Sequence, residues 1–377
     1  VTRPLRVLIT NVKLETRTGT ELYVRDLALA LLRRGHAVCA FSPVLGGLAE
    51  ELRRATVPVV DDLDRLEAVP DVIHAHHHLP AAIALLRFPG VPAVYVFHDG
   101  LSRHDVPPRL PRIRRFIAVD DNCRDRLSLE HGVPEDRLRV VLNWVDLERF
   151  RPRGPLPERP RRALVFSNYA ADDNYLPAVR QACARAGIAL DVAGAGAGAS
   201  RARPEEVLGG YDLVFAKARC ALEALATGSA VVLCDAGGAG PLVTADDLDR
   251  LRRLNFGLRT LSNPVRPEVL EREIRRYDAR DAAEVSRRVR ASAGLDAAVD
   301  ELVETYREVI AEQASAGPPD LAAELRAAAT YLRRIAPTLQ EVDEAREFRT
   351  SVLWRLRARL RRLPAAMRLF RWLAGSR

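Results

Sequence analysis

The chain has 377 residues, 48% of them hydrophobic, a length beyond which a single core stops growing and a second one is needed. Its formal charge is +8, yet every one of the 58 basic residues is arginine except Lys13 and Lys217. That bias is compositional, and no basic patch interleaved with aromatics accompanies it, so nucleic-acid binding is excluded from the reading. The five cysteines, Cys39, Cys123, Cys183, Cys220 and Cys234, are odd in number and scattered, matching neither a disulfide framework nor a zinc-ligand spacing. No run approaches the roughly 20 apolar residues that span a bilayer, and no leader-like stretch precedes Arg6, so a cytoplasmic chain is expected.

Apolar runs of strand length alternate with helical periodicity from the start: Arg6–Val12, helix Glu21–Arg34, Ala37–Ser42, then Val57–Val60, Val72–His74, Ala93–Phe97 and Phe116–Val119. Such alternation predicts a parallel sheet covered by helices, a Rossmann-like first domain over residues 1–150. Residues 151–162 hold four prolines and five arginines without apolar periodicity and read as an exposed linker. The alternation restarts with Ala163–Ser167, helix Leu176–Ala186, strands Ala189–Ala193 and Leu213–Ala216, helix Ala221–Thr227 and strand Ala230–Asp235. A second Rossmann-like domain over 163–314 follows, closed by charged helices Pro267–Val289 and Leu295–Ala314. A helical extension fills 315–377. In its tail Leu353, Leu356, Leu360, Leu363, Met367 and Phe370 recur at intervals of three and four among arginines. This stripe predicts a basic amphipathic helix that meets either an anionic membrane surface or another subunit, as in a homodimer.

Ligands of open parallel sheets bind beyond the carboxyl ends of the strands, which directs attention to the loops there. Gly19 and Thr20 open the first helix, where a glycine permits close approach and helix amides favour a diphosphate, although simple capping also accounts for them. Five of the eight histidines follow two strands, in His74-Ala75-His76-His77-His78 and in His98-Asp99. Packed so tightly and without carboxylates they make a poor metal site. Instead His98, with Asp99, suits contact with a sugar or proton transfer, and His76 and His77 suit the acceptor side; a structural histidine is the alternative. In the third loop Lys217 and Arg219 supply cations at a helix start, with Glu223 one turn on placed for a ribose hydroxyl. A surface pairing of Arg219 with Glu223 at i, i+4 competes with that role.

These residues carry a resemblance. Gly19 with Gly35-His36-Ala37-Val38, Asp71-Val72-Ile73-His74-Ala75-His76, Phe97-His98-Asp99, Val141-Leu142-Asn143-Trp144-Val145-Asp146 and Glu223-Ala224-Leu225-Ala226-Thr227-Gly228 resemble successive signatures of the retaining glycosyltransferase family 4. The resemblance runs from about residue 5 to 310 and implies a GT-B fold, two Rossmann-like domains facing a cleft. It also implies transfer of a sugar from a nucleoside diphosphate sugar to a glycan, lipid-linked or small-molecule acceptor, retaining anomeric configuration, without a metal or other cofactor. Glu223 matches the acidic residue that holds the donor ribose. Three positions depart from the pattern. Trp144 stands where glycine is usual, Phe215 replaces the first acidic residue, and the Arg/Lys pair after the first strand of the second domain is absent. Ser167, Asn168, Gly238 and the Lys217–Arg219 pair are expected to make up that donor site. An inverting transferase, a sugar-nucleotide epimerase and a non-catalytic sugar-nucleotide-binding scaffold are the competing readings.

Overall fold

A computed structural model describes residues 3–98, 102–194, 196, 198 and 203–350, with side chains to 344. The first part of the chain supplies β1 (Arg6–Thr10), α1 (Gly19–Arg33), β2 (Ala37–Phe41), α2 (Gly47–Arg54), β3 (Val59–Val60), β4 (Val72–His76), α3 (His78–Arg87), β5 (Ala93–Phe97), β6 (Ile113–Ala118), α4 (Asp121–Leu129) and β7 (Leu138–Val140). Their strands form one parallel sheet in the order β3-β2-β1-β4-β5-β6-β7. Strands β4 and β5 are buried at every position because helices cover both faces of the sheet; β5 accordingly reads as an unbroken apolar run, whereas β4 carries His74 and His76 into that interior.

Beyond it come β8 (Arg162–Phe166), α5 (Leu176–Arg185), β9 (Ala189–Ala193), β10 (Leu213–Ala216), α6 (Ala218–Thr227), β11 (Ala230–Asp235), β12 (Gly238–Leu242), α7 (Leu248–Arg253), α8 (Pro267–Ile274), α9 (Ala279–Ser292), α10 (Leu295–Ser315) and α11 (Leu321–Thr350). The second sheet runs β12-β11-β10-β8-β9, parallel except for the β11–β12 hairpin. One apolar cluster, with Val214, Leu222 and Val285, fills one face, and a second, with Val165, Phe215 and Leu270, fills the other.

The segment 151–162 is largely exposed, as expected, and it is anchored: Arg153 donates to the Tyr211 carbonyl and pairs with Asp212 at 3.0 Å, and the Asp212 carboxylate accepts the backbone N–H of Arg161 and Arg162. Two expectations change. The helix expected over 267–289 is two, because Asp278 caps a new start through the N–H of Arg280 and Asp281. Helix α10, expected with the second sheet, packs on α1 and β5 of the first. Arg34 holds it through Asp296 at 2.9 Å and Asp300 at 3.1 Å, and Arg114 through Gln313 at 2.7 Å. Residues to Pro319, apart from Arg109–Pro111, form one compact unit, and Arg109–Pro111 with Asp320 onward form another. The expected tail helix over 351–377 lies outside the described residues.

Candidate functional site

In the first sheet β1 lies between β2 and β4, so the connections leave it to opposite sides and a crevice opens beyond the carboxyl ends of β1 and β4. Asn11 and Val12 follow β1 there, and His77 follows β4. Hydrogen bonds stitch the two ends together: Thr10 Oγ1 pairs with the backbone of His76 at 3.2 Å, and the Val12 N–H donates to His77 Nδ1 at 3.2 Å. His77 holds φ at 59°, a left-handed value that costs a non-glycine residue on the order of 1–3 kcal/mol and concentrates at functional sites. Asp105, buried at 1% exposure, accepts the His98 N–H at 3.1 Å and lies 3.7 Å from His77 Nε2. It fixes both histidines, and nothing in the sequence around it marked that role.

His98 is half-buried at the end of β5, and its Nε2 lies 2.6 Å from His76 Nδ1. His76 is wholly buried beneath it, which corrects its expected place on the acceptor surface: it orients His98 and has no exposed atom to offer an acceptor. Tyr23 of α1 packs edge-on against both rings, with Trp144 on its far side at 4.1 Å between centroids. Trp144 is therefore core. His74 continues the cluster, its Nδ1 2.6 Å from the Tyr306 hydroxyl of α10. Burial, with the neighbouring histidines adding to it, pushes His76 and His98 well below the usual imidazole range, and burial alone takes His74 down to about 3. All three are neutral at physiological pH. Asp99 lies outside the described residues.

The α1 end of the crevice is organised by Glu21. Its buried carboxylate accepts the N–H of Glu15, Thr16 and Thr18 at 2.7–2.9 Å and the hydroxyls of Thr16 and Thr18 at 2.7 and 2.6 Å. Burial opposes its ionisation, but these donors outweigh it and hold the carboxyl below the ordinary range. Gly19 is exposed, and a Cβ there would meet nothing within 4 Å. Internal packing therefore does not require this glycine. Thr20 is half-buried in the same turn.

In the second sheet the corresponding switch lies between β8 and β10. Ser167, Asn168 and Tyr169 leave β8, Lys217 leaves β10, and Asp235 ends β11. The Lys217 ammonium pairs with Asp235 and sits 5.6 Å over the ring of Tyr169, which is 65% exposed. Next to it Ala218 holds φ at 49° while its N–H donates to the Phe256 carbonyl at 2.9 Å, a second strained residue at a second crevice. Ser167 Oγ accepts the Tyr169 N–H at 3.2 Å, and the Asn168 carbonyl accepts that of Gly196 at 2.9 Å, so both shape the loop. Phe215 is wholly buried in β10. The position of the missing acidic residue is thus core here.

Two donor-side assignments are corrected. Gly238 has φ 151°, and a Cβ there would come within 2.8 Å of the Leu261 carbonyl; its glycine serves the packing of β12, not a phosphate. Arg219 is already engaged. It donates to Glu223 at 2.8 Å, the i, i+4 pairing that the spacing offered but buried instead of on the surface, and it also pairs with Asp26 of α1. Asp26 takes Arg25 as well, at 2.9 Å, and lies 3.6 Å from Arg149, whose other nitrogen bonds Glu205 at 2.9 Å. Burial works against the charges on Asp26 and Arg219, but their mutual attraction prevails, holding the Asp26 carboxyl below its usual range and raising Arg219. Burial also pushes Glu223 up, against the pull of Arg219. This buried network ties the first sheet's α1 to the second sheet's α6. Among the described residues no group of three or more His, Cys, Asp or Glu is arranged to hold a metal ion.

Residues 17–149 match the family model of Glycosyltransferase Family 4. A glycosyltransferase from Rickettsia africae superposes with a TM-score of 0.59 at 14% identity, over 82% of this chain and 99% of its own. The chain has the GT-B fold. Two more GT-B neighbours are Anabaena Alr3699/HepE with UDP and glucose bound, at TM-score 0.57 and 15% identity, and MurG of Acinetobacter baumannii, at 0.51 and 14%. Each covers 81% of this chain and is itself covered over its full length. No curated protein matches the chain by sequence. The family match covers residues of the first sheet, and the structural likeness extends over both sheets. No described helix is long and apolar enough to cross a membrane.

Proposed function

We propose that the chain moves a glycosyl group from a nucleoside diphosphate sugar to an acceptor hydroxyl, retaining the configuration at the anomeric carbon and using no metal ion or other cofactor. The observation that carries this reading is Lys217, a half-buried ammonium held by Asp235 at the β8/β10 switch point, where a diphosphate would lie. Its charge, with the open amide end of α1 at Gly19 and Thr20, would meet the charge that builds on the leaving diphosphate. Glu223 would hold the ribose, and exchanging Arg219 for that partner would be part of donor binding. His98, neutral and oriented by His76, would contact the transferred sugar. As the bond from the anomeric carbon to the diphosphate breaks, the acceptor oxygen bonds the same face and its proton passes to the leaving oxygen.

A UDP-sugar is the first donor to try, since the HepE neighbour was solved with UDP-glucose. The test is transfer from a panel of nucleoside diphosphate sugars, with the product read by NMR. An anomeric coupling matching that of the donor is expected. An inverted product would remove the retaining mechanism, and absence of both transfer and donor hydrolysis across the panel would favour the non-catalytic scaffold.

A further inference from the structure

Three arginines are buried among the described residues, Arg25 and Arg112 at 3% exposure and Arg252 at 8%. A guanidinium keeps its charge at neutral pH, so each of them must replace the hydration it has lost. Arg25 does so with Asp26 and Glu51. Arg112 donates to the carbonyls of Leu85, Phe88 and Val91. The Arg252 side chain has neither an acid nor a carbonyl among the described residues, and its Nη1 is sealed from solvent without a hydrogen bond. Burial pushes it down to about 10, with no neighbouring acid to oppose the shift. It is still a cation at neutral pH, and a buried cation left unpaired is unfavourable enough to need an anion from outside the chain.

The surroundings of Arg252 say which anion. It lies in the last turn of α7, where its carbonyl accepts the Asn255 N–H at 2.9 Å. Asn255 and Phe256 then hold left-handed φ values of 55° and 49°, and the Phe256 carbonyl accepts the N–H of Ala218, the residue after Lys217. Arg253 crosses to Asp121 at the start of α4, at 2.5 and 2.7 Å. This turn therefore joins the Lys217 crevice to the carboxyl end of β6 in the first sheet.

The cations already placed at that crevice are matched: Lys217 by Asp235, and Arg219 by Asp26 and Glu223. Ser167, Asn168 and Tyr169, which follow β8, add no positive charge. A diphosphate needs positive charge beyond these neutralised pairs. We infer, resting on the donor class proposed above, that Arg252 is the second cation of the diphosphate site, doing beside Lys217 what the absent Arg/Lys pair after β8 would do.

Arg252→Met keeps the length of the stem and removes the charge. Isothermal titration of UDP, GDP, dTDP, CDP and ADP is expected to show the bound nucleotide weakened about tenfold or more in this variant, with Arg252→Lys in between. A thermal melt without nucleotide is expected to show Arg252→Met no less stable than wild type, because a thioether replaces an unpaired buried charge; an arginine that served only the fold would be missed there. Nucleotide binding unchanged by Arg252→Met overturns the inference and leaves the proposed function on Lys217. So does a variant that melts below wild type or fails to fold. A wild-type chain that binds none of the five nucleotides overturns both.

Discussion

Replacing Asp26 with alanine removes the carboxylate on which the buried network converges. Asp26 is 2% exposed and receives Arg219 from the second sheet, at 15% exposure, and Arg25 from its own helix, at 4%. Without it Arg219 keeps only Glu223, and Arg25 keeps only Glu51 at 3.3 Å. Breaking a buried pair from one side costs about 3–5 kcal/mol, because the partner's charge stays buried. Asp26→Ala is therefore expected to cost about 4 kcal/mol in urea unfolding at pH 7.5. Arg219→Ala should cost a similar amount, because Glu223 loses its ion-pair partner while Asp26 is left with Arg25 and the more distant Arg149. The double variant should fall short of the sum by about 1–3 kcal/mol, the coupling of residues in contact. The pH dependence has a definite sign. The folded-state value of Asp26 is depressed, so its contribution is complete above the unfolded carboxyl value of about 3.9 and disappears as pH falls through the lower folded value. A cost below about 1 kcal/mol for Asp26→Ala, or strict additivity in the cycle, would refute the network as a tie between the two sheets.

Three further outcomes follow from the same coordinates. His74, His76 and His98 stay neutral when folded but take up protons near 6.5 when unfolded, so stability is full above that value and falls as pH drops below it. Between pH 7.5 and 5.5 His74, held at about 3 when folded, alone contributes a loss of about 1.4 kcal/mol, with His76 and His98 acting in the same direction; urea midpoints across that range check it, and His76→Asn should flatten the slope. Gly194→Ala would place a Cβ 1.8 Å from the Ser167 carbonyl, so the variant should lose donor binding or fail to fold, whereas Gly19→Ala, where nothing lies within 4 Å, should fold with a wild-type melting curve. Trp144→Gly, which restores the residue usual in the family, should cost about 3–5 kcal/mol by emptying the space beside Tyr23; a melting temperature equal to wild type would contradict its place in the core.

Much of the fold was legible because buried parallel strands announce themselves: Ala93–Phe97, Leu213–Ala216 and Ala230–Asp235 match the observed strands residue for residue, and the largely exposed edge strand Ala189–Ala193 does so as well. Less legible was anything fixed by partners distant in sequence. The pattern of α10 reports an amphipathic helix but not which sheet it covers, and that choice is made by Tyr306 meeting His74 and by Arg34 meeting Asp296. Glycines 238 and 240 advertise close approach without saying to what, and the neighbour is the backbone of 260–263. Arg219 and Glu223 were found from their spacing, but Asp26 lies 193 residues away on a helix chosen for its start, not its second turn. Asp105 and Asp235, which hold His98 and Lys217, had no motif to mark them. A strand that ends in an acid beside a strand that ends in a lysine was the only available signal for the second pair.

The central claim is that the β8/β10 crevice takes a nucleoside diphosphate through Lys217. Isothermal titration of UDP, GDP, dTDP, CDP and ADP into the wild-type chain and into Lys217→Ala measures it directly. At least one of the five should bind the wild type, with affinity falling about tenfold or more in the variant, the worth of one charge-assisted contact to phosphate. No binding of any of them, or binding indifferent to Lys217→Ala, would contradict the account.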